Sequence, residues 1–180
     1  MDEISESLMN NSWSLSSEEN MNVFSIPKLE VTTTTRIYEK DGVSSTVGLE
    51  MPVFLFVSKL EFSSEVPPSG MKLIRGIVKN ESKNKFTDIL KHKGLEEIKV
   101  TNAKNQSREG RRIDLFSYVA KYIHNDKKYE IKSECYVFHN GDNYYILGYS
   151  KPLDNSILVS NSGIGIQIDD QISEIVDLIL

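Results

Sequence analysis

Cysteine is nearly absent from this chain: Cys135 is the single thiol among 180 residues. An internal disulfide is therefore excluded, and so is a zinc cluster built on several thiolates. Tryptophan is equally scarce, with Trp13 alone. Long apolar runs are missing too. The longest, around Val53 to Val57, is the size of a strand and far short of a membrane span. The stretch from Met1 to Ser12 carries acidic residues and no apolar run, so it reads as neither a signal peptide nor a membrane anchor. A soluble, cytoplasmic protein is expected, exported only if a leader has been removed. Positive charge is not in excess: the formal net charge is −5, which disfavours a strongly basic nucleic-acid binder and is too mild for adaptation to very high salt.

Catalytic signatures are lacking as well. The chain has no GxSxG elbow and no HExxH pair, and its carboxylates alternate along strand faces rather than converging. Gly163-Ile164-Gly165 precedes a helix, but it lacks a third glycine and a P-loop lysine, and Asp169 and Asp170 oppose phosphate at the helix start. Of the three histidines, His92 falls in the last turn of a helix, where a cation suits the carbonyl end. His124 and His139 flank two hairpin turns at opposite ends of one strand, roughly 40 Å apart at the rise of an extended chain, and cannot share a metal. His139 opposite Asp142 is at most half a site, and solvated turn residues are the simpler reading. No catalytic residue, cofactor site or metal site is assigned, and an enzyme is not expected.

What the chain does contain is a well-specified piece of sheet between Gly110 and Pro152. Turns at Asn125-Asp126 and Asn140-Gly141 divide it into three strands. Counting outward from two-residue loops pairs Tyr122 with Tyr129, Ala120 with Ile131, Tyr118 with Ser133 and Phe116 with Cys135. Across the second turn it pairs Val137 with Tyr144, Cys135 with Ile146 and Ser133 with Gly148. All of these fall on one almost wholly apolar face, since opposed residues share a side. Cys135 then points into the core as a small buried hydrophobe. Ser133 beside Gly148 leaves a shallow dip that suits close helix packing, with a ligand cavity as the alternative. The opposite face of the middle strand reads Lys128, Glu130, Lys132, Glu134, with Lys121 opposite Glu130 as a possible ion pair.

Around this meander the chain reads in order. Residues 1–20 form a polar tail, pinned to the body by Trp13, and residues 21–180 form a single domain. A strand over Leu29 to Tyr38 turns at Asp41-Gly42 and returns over Val43 to Leu49 as a hairpin near a sheet edge. Pro52 argues for a bend, and Val53 to Val57 is a strand buried on both faces. Pro67-Pro68-Ser69-Gly70 is a loop, and Met71 to Lys79 a short strand. Ser82 caps a helix carrying Phe86, Ile89 and Leu90, which Gly94 stops. Ile98 and Val100 lie on a strand, and Asn102 to Gly110 is a polar loop. Within that region Lys99, Lys104, Arg108, Arg111 and Arg112 are basic and could meet an acidic partner, or simply be solvated. Leu153 to Gly165 is irregular, and a helix over Ile168 to Ile179 closes the chain with an apolar stripe.

The pieces Gly110 to Tyr122, Glu134 to Pro152 with its Tyr144-Tyr145-Ile146-Leu147-Gly148-Tyr149-Ser150 strand, and Ile168 to Ile179 resemble the second half of the PsbP-like α/β sandwich. In particular they are similar to uncharacterised archaeal proteins of this plan, many of them lipoproteins, although a leader and a lipid-attachment cysteine are lacking here. The resemblance implies a noncatalytic binding or assembly module and carries over no functional residue.

The expected fold is α+β: an antiparallel sheet with the Phe86 helix and the carboxy-terminal helix both packed on the apolar meander face. The expected function is a noncatalytic protein-interaction or assembly module. A carrier of small apolar ligands, using a cavity between sheet and helices, is the alternative, and an enzyme comes third. Tyr136, Tyr145, Leu147 and Tyr149 share the outer face of the meander and form the candidate partner-binding patch, with Tyr145 set cross-strand to Tyr136. A second copy of the chain is one candidate partner; nucleic acid and membrane are not expected. The competing reading is that the amino-terminal segment, through Trp13, covers this patch itself.

Overall fold

The computed structural model describes residues 1–26, 29–40, 43–45, 53–64, 66, 68–108, 110–140, 143–153, 158–160 and 167–179. In chain order these form α1 (Asp2–Asn10), β1 (Trp13–Ile26), β2 (Leu29–Lys40), β3 (Val43–Ser45), β4 (Phe54–Phe62), α2 (Pro68–His92), β5 (Leu95–Arg108), β6 (Arg111–His124), β7 (Lys127–Asn140), β8 (Asn143–Pro152), β9 (Leu158–Ser160) and α3 (Gln167–Ile179). Seven strands make one antiparallel sheet in the order β1-β2-β4-β8-β7-β6-β5, and β3 pairs with β9 in a separate small ladder. The α+β class and the antiparallel sheet with covering helices are as the sequence indicates.

The first hairpin of the meander has the register counted from its turn: Phe116, Tyr118, Ala120 and Tyr122 face Cys135, Ser133, Ile131 and Tyr129. Asn125 and Asp126 both hold positive φ, the backbone that such a tight turn needs. The second hairpin is shifted by two residues. Val137 faces Ile146, Cys135 faces Gly148 and Ser133 faces Ser150, because Asn140 pairs with Asn143 and the loop therefore begins one residue later. An even shift leaves every side chain on its expected face. The dip beside Gly148 is filled from within the sheet. A Cβ on Gly148 would lie 2.0 Å from Cε1 of Phe56 on β4, so the bare glycine is what lets that ring lie across the strand. Gly148→Ala is expected to cost about 1–3 kcal/mol as an overpacking substitution, read as a lower midpoint in a denaturant melt; a neutral result would show that the ring has room to move.

The helices do not share a face. The stripe Ile74, Val78, Phe86 and Leu90 of α2 packs on Phe54, Phe56, Phe116, Tyr118, Ala120, Ile131, Cys135 and Ile146. Helix α3 lies on the other side, where Ile168, Ile172, Ile175 and Val176 meet Leu55, Val57, Ile113, Phe138, Leu147 and Tyr149, together with Ile4, Leu8 and Trp13. This corrects the expectation that both helices cover the meander's first face. Strand β4 is apolar on both sides, and the outer residues of β8 extend that second apolar surface, which itself has to be covered.

Several further expectations are corrected. Residues 1–20 are not a tail: α1 and the edge strand β1 occupy them, and β1 pairs along nearly the whole of β2. Trp13 is docked as expected, 1% exposed. Strand β2 therefore lies inside the sheet, between β1 and β4, and Val43–Ser45 pairs with Leu158–Ser160 rather than with β2. Pro68 opens α2 instead of a loop, a position where its missing N–H is not needed. Met71 to Lys79 is the first half of that helix, and Ser82 is internal to it, its hydroxyl donating to the Val78 carbonyl at 2.5 Å. Helix α2 stops where expected, with Gly94 at φ 78°. Strand β5 runs through Asn102 to Arg108, which the polar composition suggested was loop. Lys121 does oppose Glu130, but its ammonium pairs with Glu97 at 2.6 Å. The sequence features at Asp41-Gly42, Gly141, Asp142, Pro52 and Gly163-Ile164-Gly165 lie outside the described residues.

Candidate functional site

The outer-face tyrosines separate into two kinds once α3 is in place. Leu147 and Tyr149 are buried by the chain's own residues and cannot offer contact surface to a partner, which corrects their assignment to the patch. Tyr136 and Tyr145 are half-buried against the same core. The shifted register sets Tyr136 opposite Leu147 and Tyr145 opposite Phe138, whose ring it stacks on at 5.8 Å. Tyr136 and Tyr149 both donate to the carboxylate of Glu134, at 2.7 and 2.8 Å, and Lys132 lies 3.2 Å away. Burial opposes ionisation of Glu134, yet those two hydroxyls and the lysine hold its carboxyl below the usual carboxylate range. This cluster ties β7 to β8 and is structural.

The histidines are dispersed. His92 Nδ1 lies 2.8 Å from the Asp88 carbonyl oxygen, His124 stacks with Tyr122, and His139 packs on Tyr144 at 4.9 Å. Among the described residues no group of three His, Cys, Asp or Glu could hold a metal ion. Cys135 is fully buried, and burial pushes its thiol up, away from the thiolate that nucleophilic chemistry uses. Among the described residues no helix is long and apolar enough to cross a membrane.

Two features remain that the fold does not use up. The first is the free edge of β5, where Lys99, Val100, Thr101, Asn102, Ala103, Lys104 and Asn105 are all exposed. Bulges interrupt its pairing between Glu96 and Lys99 and between Val100 and Asn102, after which the register is regular to Arg108. The pairing puts Lys99, Lys104, Arg108 and Arg111 on one face and Arg112 on the other. Arg108 donates to Asp177 of α3 at 2.7 Å, whereas among the described residues Lys99 and Lys104 have no ion-pair partner. Of the five basic residues, Lys99, Lys104 and Arg108 are thus brought together on one face of an edge strand rather than a loop, while Arg111 and Arg112 lie on β6.

The second is a cavity of about 50 Å³ beneath α2, lined by Thr33, Leu60, Val78, Glu81, Ser82, Lys85 and Ile146. Lys85 Nζ donates to Thr35 Oγ1 at 3.0 Å, and Thr35 is 2.7 Å from Ser58 Oγ. An ammonium only donates, so the Thr35 hydroxyl accepts from Lys85, and in the Thr35–Ser58 contact either hydroxyl can be the donor. Thr33 is 3% exposed, and its hydroxyl has no hydrogen-bond partner among the described residues. Burial lowers the Lys85 pKa, with the more distant Glu19 charge opposing the shift. A cavity of this size is well below the roughly 300–1,000 Å³ of pockets that enclose drug-sized molecules. Sequence reasoning passed over Lys85 and Thr33. The one available signal is the run Thr32 to Thr35, which puts two hydroxyls on each face of the strand, and it means nothing until a helix is known to cover one of those faces.

No family model matches the chain, and no curated protein matches it. A solved structure that it is similar to is the cyanobacterial PsbP (CyanoP) from Synechocystis sp. PCC 6803, at 12% identity over 88% of this chain and 95% of that one, with a TM-score of 0.38. A superposition this loose transfers nothing of the neighbour's role.

Proposed function

We propose that the chain is a noncatalytic protein-interaction module that receives an extended, acidic segment of a partner along β5. The observation that carries this reading is the exposed β5 edge, with Lys99 and Lys104 unpaired among the described residues on a chain whose net charge is −5. An edge strand offers a row of backbone donors and acceptors, and an added strand gains affinity from that ladder while its side chains meet the flanking charges. Self-pairing of β5 in a second copy is disfavoured, because it would bring two lysine-bearing faces side by side. Of the four outer-face residues singled out from the sequence, Tyr136 and Tyr145 retain surface that could add to such a contact.

The test uses a synthetic peptide of alternating valine and glutamate, followed by amide NMR. Shifts concentrated on Asn102 to Arg108 are expected, together with a loss of affinity of about tenfold or more in the Lys99→Glu/Lys104→Glu double variant, since like charges then face one another. Equal binding of a valine–lysine peptide, or shifts scattered away from β5, would overturn the proposal.

A further inference from the structure

The cavity beneath α2 has the parts of a small anion site, and they come from four elements, α2, β2, β4 and β8. Lys85, from α2, is a half-buried cation with no carboxylate at ion-pair distance among the described residues; its one hydrogen bond given by the structure is to Thr35. Across the same space, β2 supplies the Thr33 hydroxyl, a buried donor with no partner among the described residues. Between them Leu60, Val78 and Ile146 form apolar walls. Ser82 lines the cavity too, but its proton already goes to the Val78 carbonyl.

Leaving a buried hydroxyl unsatisfied and a desolvated ammonium without a counter-charge are both unfavourable, and such groups normally find partners. One occupant would supply both. A carboxylate is an acceptor at each oxygen, so one oxygen can take a proton from Lys85 while the other takes the Thr33 hydroxyl proton. At about 10–15 Å³ for each water-sized sphere the cavity of about 50 Å³ admits roughly three to five non-hydrogen atoms, the span from a bare carboxyl group to a carboxylate of three carbons. Glu81 at the rim and Glu19, whose charge reaches Lys85, set the sign of the surrounding field. Both are exposed and negative, so a dianion such as phosphate or sulfate is repelled more than a monoanion.

We propose that this cavity binds a free monocarboxylate of short chain length, with its carboxylate between Lys85 and Thr33 and its alkyl carbons against Leu60, Val78 and Ile146. Burial lowers the proton affinity of Lys85, which agrees with a cation that has no carboxylate at ion-pair distance among the described residues, and binding should raise it. This inference is independent of the β5 reading, because the two surfaces are formed by different strands and report on different residues.

Propionate is the probe, titrated into the full chain and followed by methyl NMR. Saturable shifts are expected at the methyls of Leu60, Val78, Ile146 and Thr33, with 1-propanol of equal length and inorganic sulfate producing much smaller ones. Lys85→Met should weaken propionate binding about tenfold or more, the loss of one charge-assisted hydrogen bond. Thr33→Val should weaken it too while leaving the melting temperature of the free protein unchanged or higher, because the orphaned hydroxyl is replaced by a methyl of the same shape. Absence of saturation in the wild-type chain, equal binding of propanol, or unchanged affinity in Lys85→Met would each overturn the proposal. Should Lys85→Met fold poorly, the comparison of propionate with propanol on the wild-type chain decides alone.

Discussion

Replacing Phe86 by alanine is expected to destabilise the fold by about 3–5 kcal/mol, the range for deleting a fully buried aromatic ring, with the denaturant midpoint falling accordingly. The ring is fully buried at the middle of the α2 face. It meets Phe56 with centroids 5.3 Å apart and Tyr118 edge-on at 5.1 Å. Phe56 in turn occupies the space over Gly148, so the three rings and the glycine form one packed line from β6 through α2 to β4 and β8. Aromatic pairs in such arrangements add about 0.5–1.5 kcal/mol beyond area burial, and neither neighbour can collapse into the gap without leaving its own contact. The effect should sit near the top of the range for this reason. Phe86→Leu, which keeps most of the volume, should lose less than half as much. A loss under about 1 kcal/mol for Phe86→Ala, well below what cavity formation costs elsewhere, would mean that α2 is not fixed on the sheet by this ring.

A second anchor of α2 is electrostatic. Arg75 donates from Nε and Nη2 to Oδ2 of Asp114 at 3.0 and 2.6 Å, and Lys79 lies 3.5 Å from the other oxygen. Asp114 is almost fully buried on β6, so the first half of α2 is tied to a strand four places from β2 in the sheet, over which the second half carries Lys85. The position of Lys85 above Thr35 is thus a consequence of the whole helix being one rod. That is why the cavity was not legible in the sequence, where Met71 to Lys79 reads as a strand and Ser82 as a cap.

The misreading has a physical source. Ile74, Val78, Ser82, Phe86 and Leu90 recur every four residues, a helical stripe, but Ile74 and Val78 are β-branched and Gly76 sits between them, so local propensity pointed to strand. Edge strands were lost for the converse reason. Ser14 to Asn20 of β1 and the second half of β5 have no buried face to impose alternation, and their partners rather than their composition hold them extended. The meander was legible because both of its faces are constrained. Tyr118, Ala120, Ile131 and Cys135 must go inward, and the turn at Asn125-Asp126 fixes the count, so register follows from pattern alone. Where only the turn was informative, at Asn140, the count slipped by two residues and the faces survived.

Trp13→Ala should bring the second large loss, again about 3–5 kcal/mol, and it should act on the other face of the sheet. Trp13 begins β1, yet its indole N–H donates to Gln171 Oε1 on α3 at 3.1 Å. Lys40 of β2 places its ammonium 5.2 Å from the ring centroid, donates to the same Gln171 oxygen at 3.2 Å, and also bonds the Asn11 carbonyl at the end of α1. One side chain therefore links the edge strand, the first helix and the last helix. Its removal both empties a large volume and wets a lysine that is held among its partners. Trp13→Phe separates these contributions: it retains most of the apolar contact and gives up one hydrogen-bond donor, while Gln171 can still accept from Lys40, so a cost of only about 1 kcal/mol beyond the lost volume is expected. Because Trp13 is the chain's one tryptophan, its fluorescence in the wild-type protein should be blue-shifted and should move red in a single transition with the circular dichroism signal. Hydrogen exchange gives the sharper outcome. In Trp13→Ala the amides of α1, β1 and α3 should exchange faster through local opening, by more than the loss of global stability, whereas those of β6 and β7 should speed up only by that global loss. Faster exchange confined to α1, with α3 unchanged, would show that the tryptophan tethers only the amino terminus and that α3 holds the outer face by its own apolar stripe.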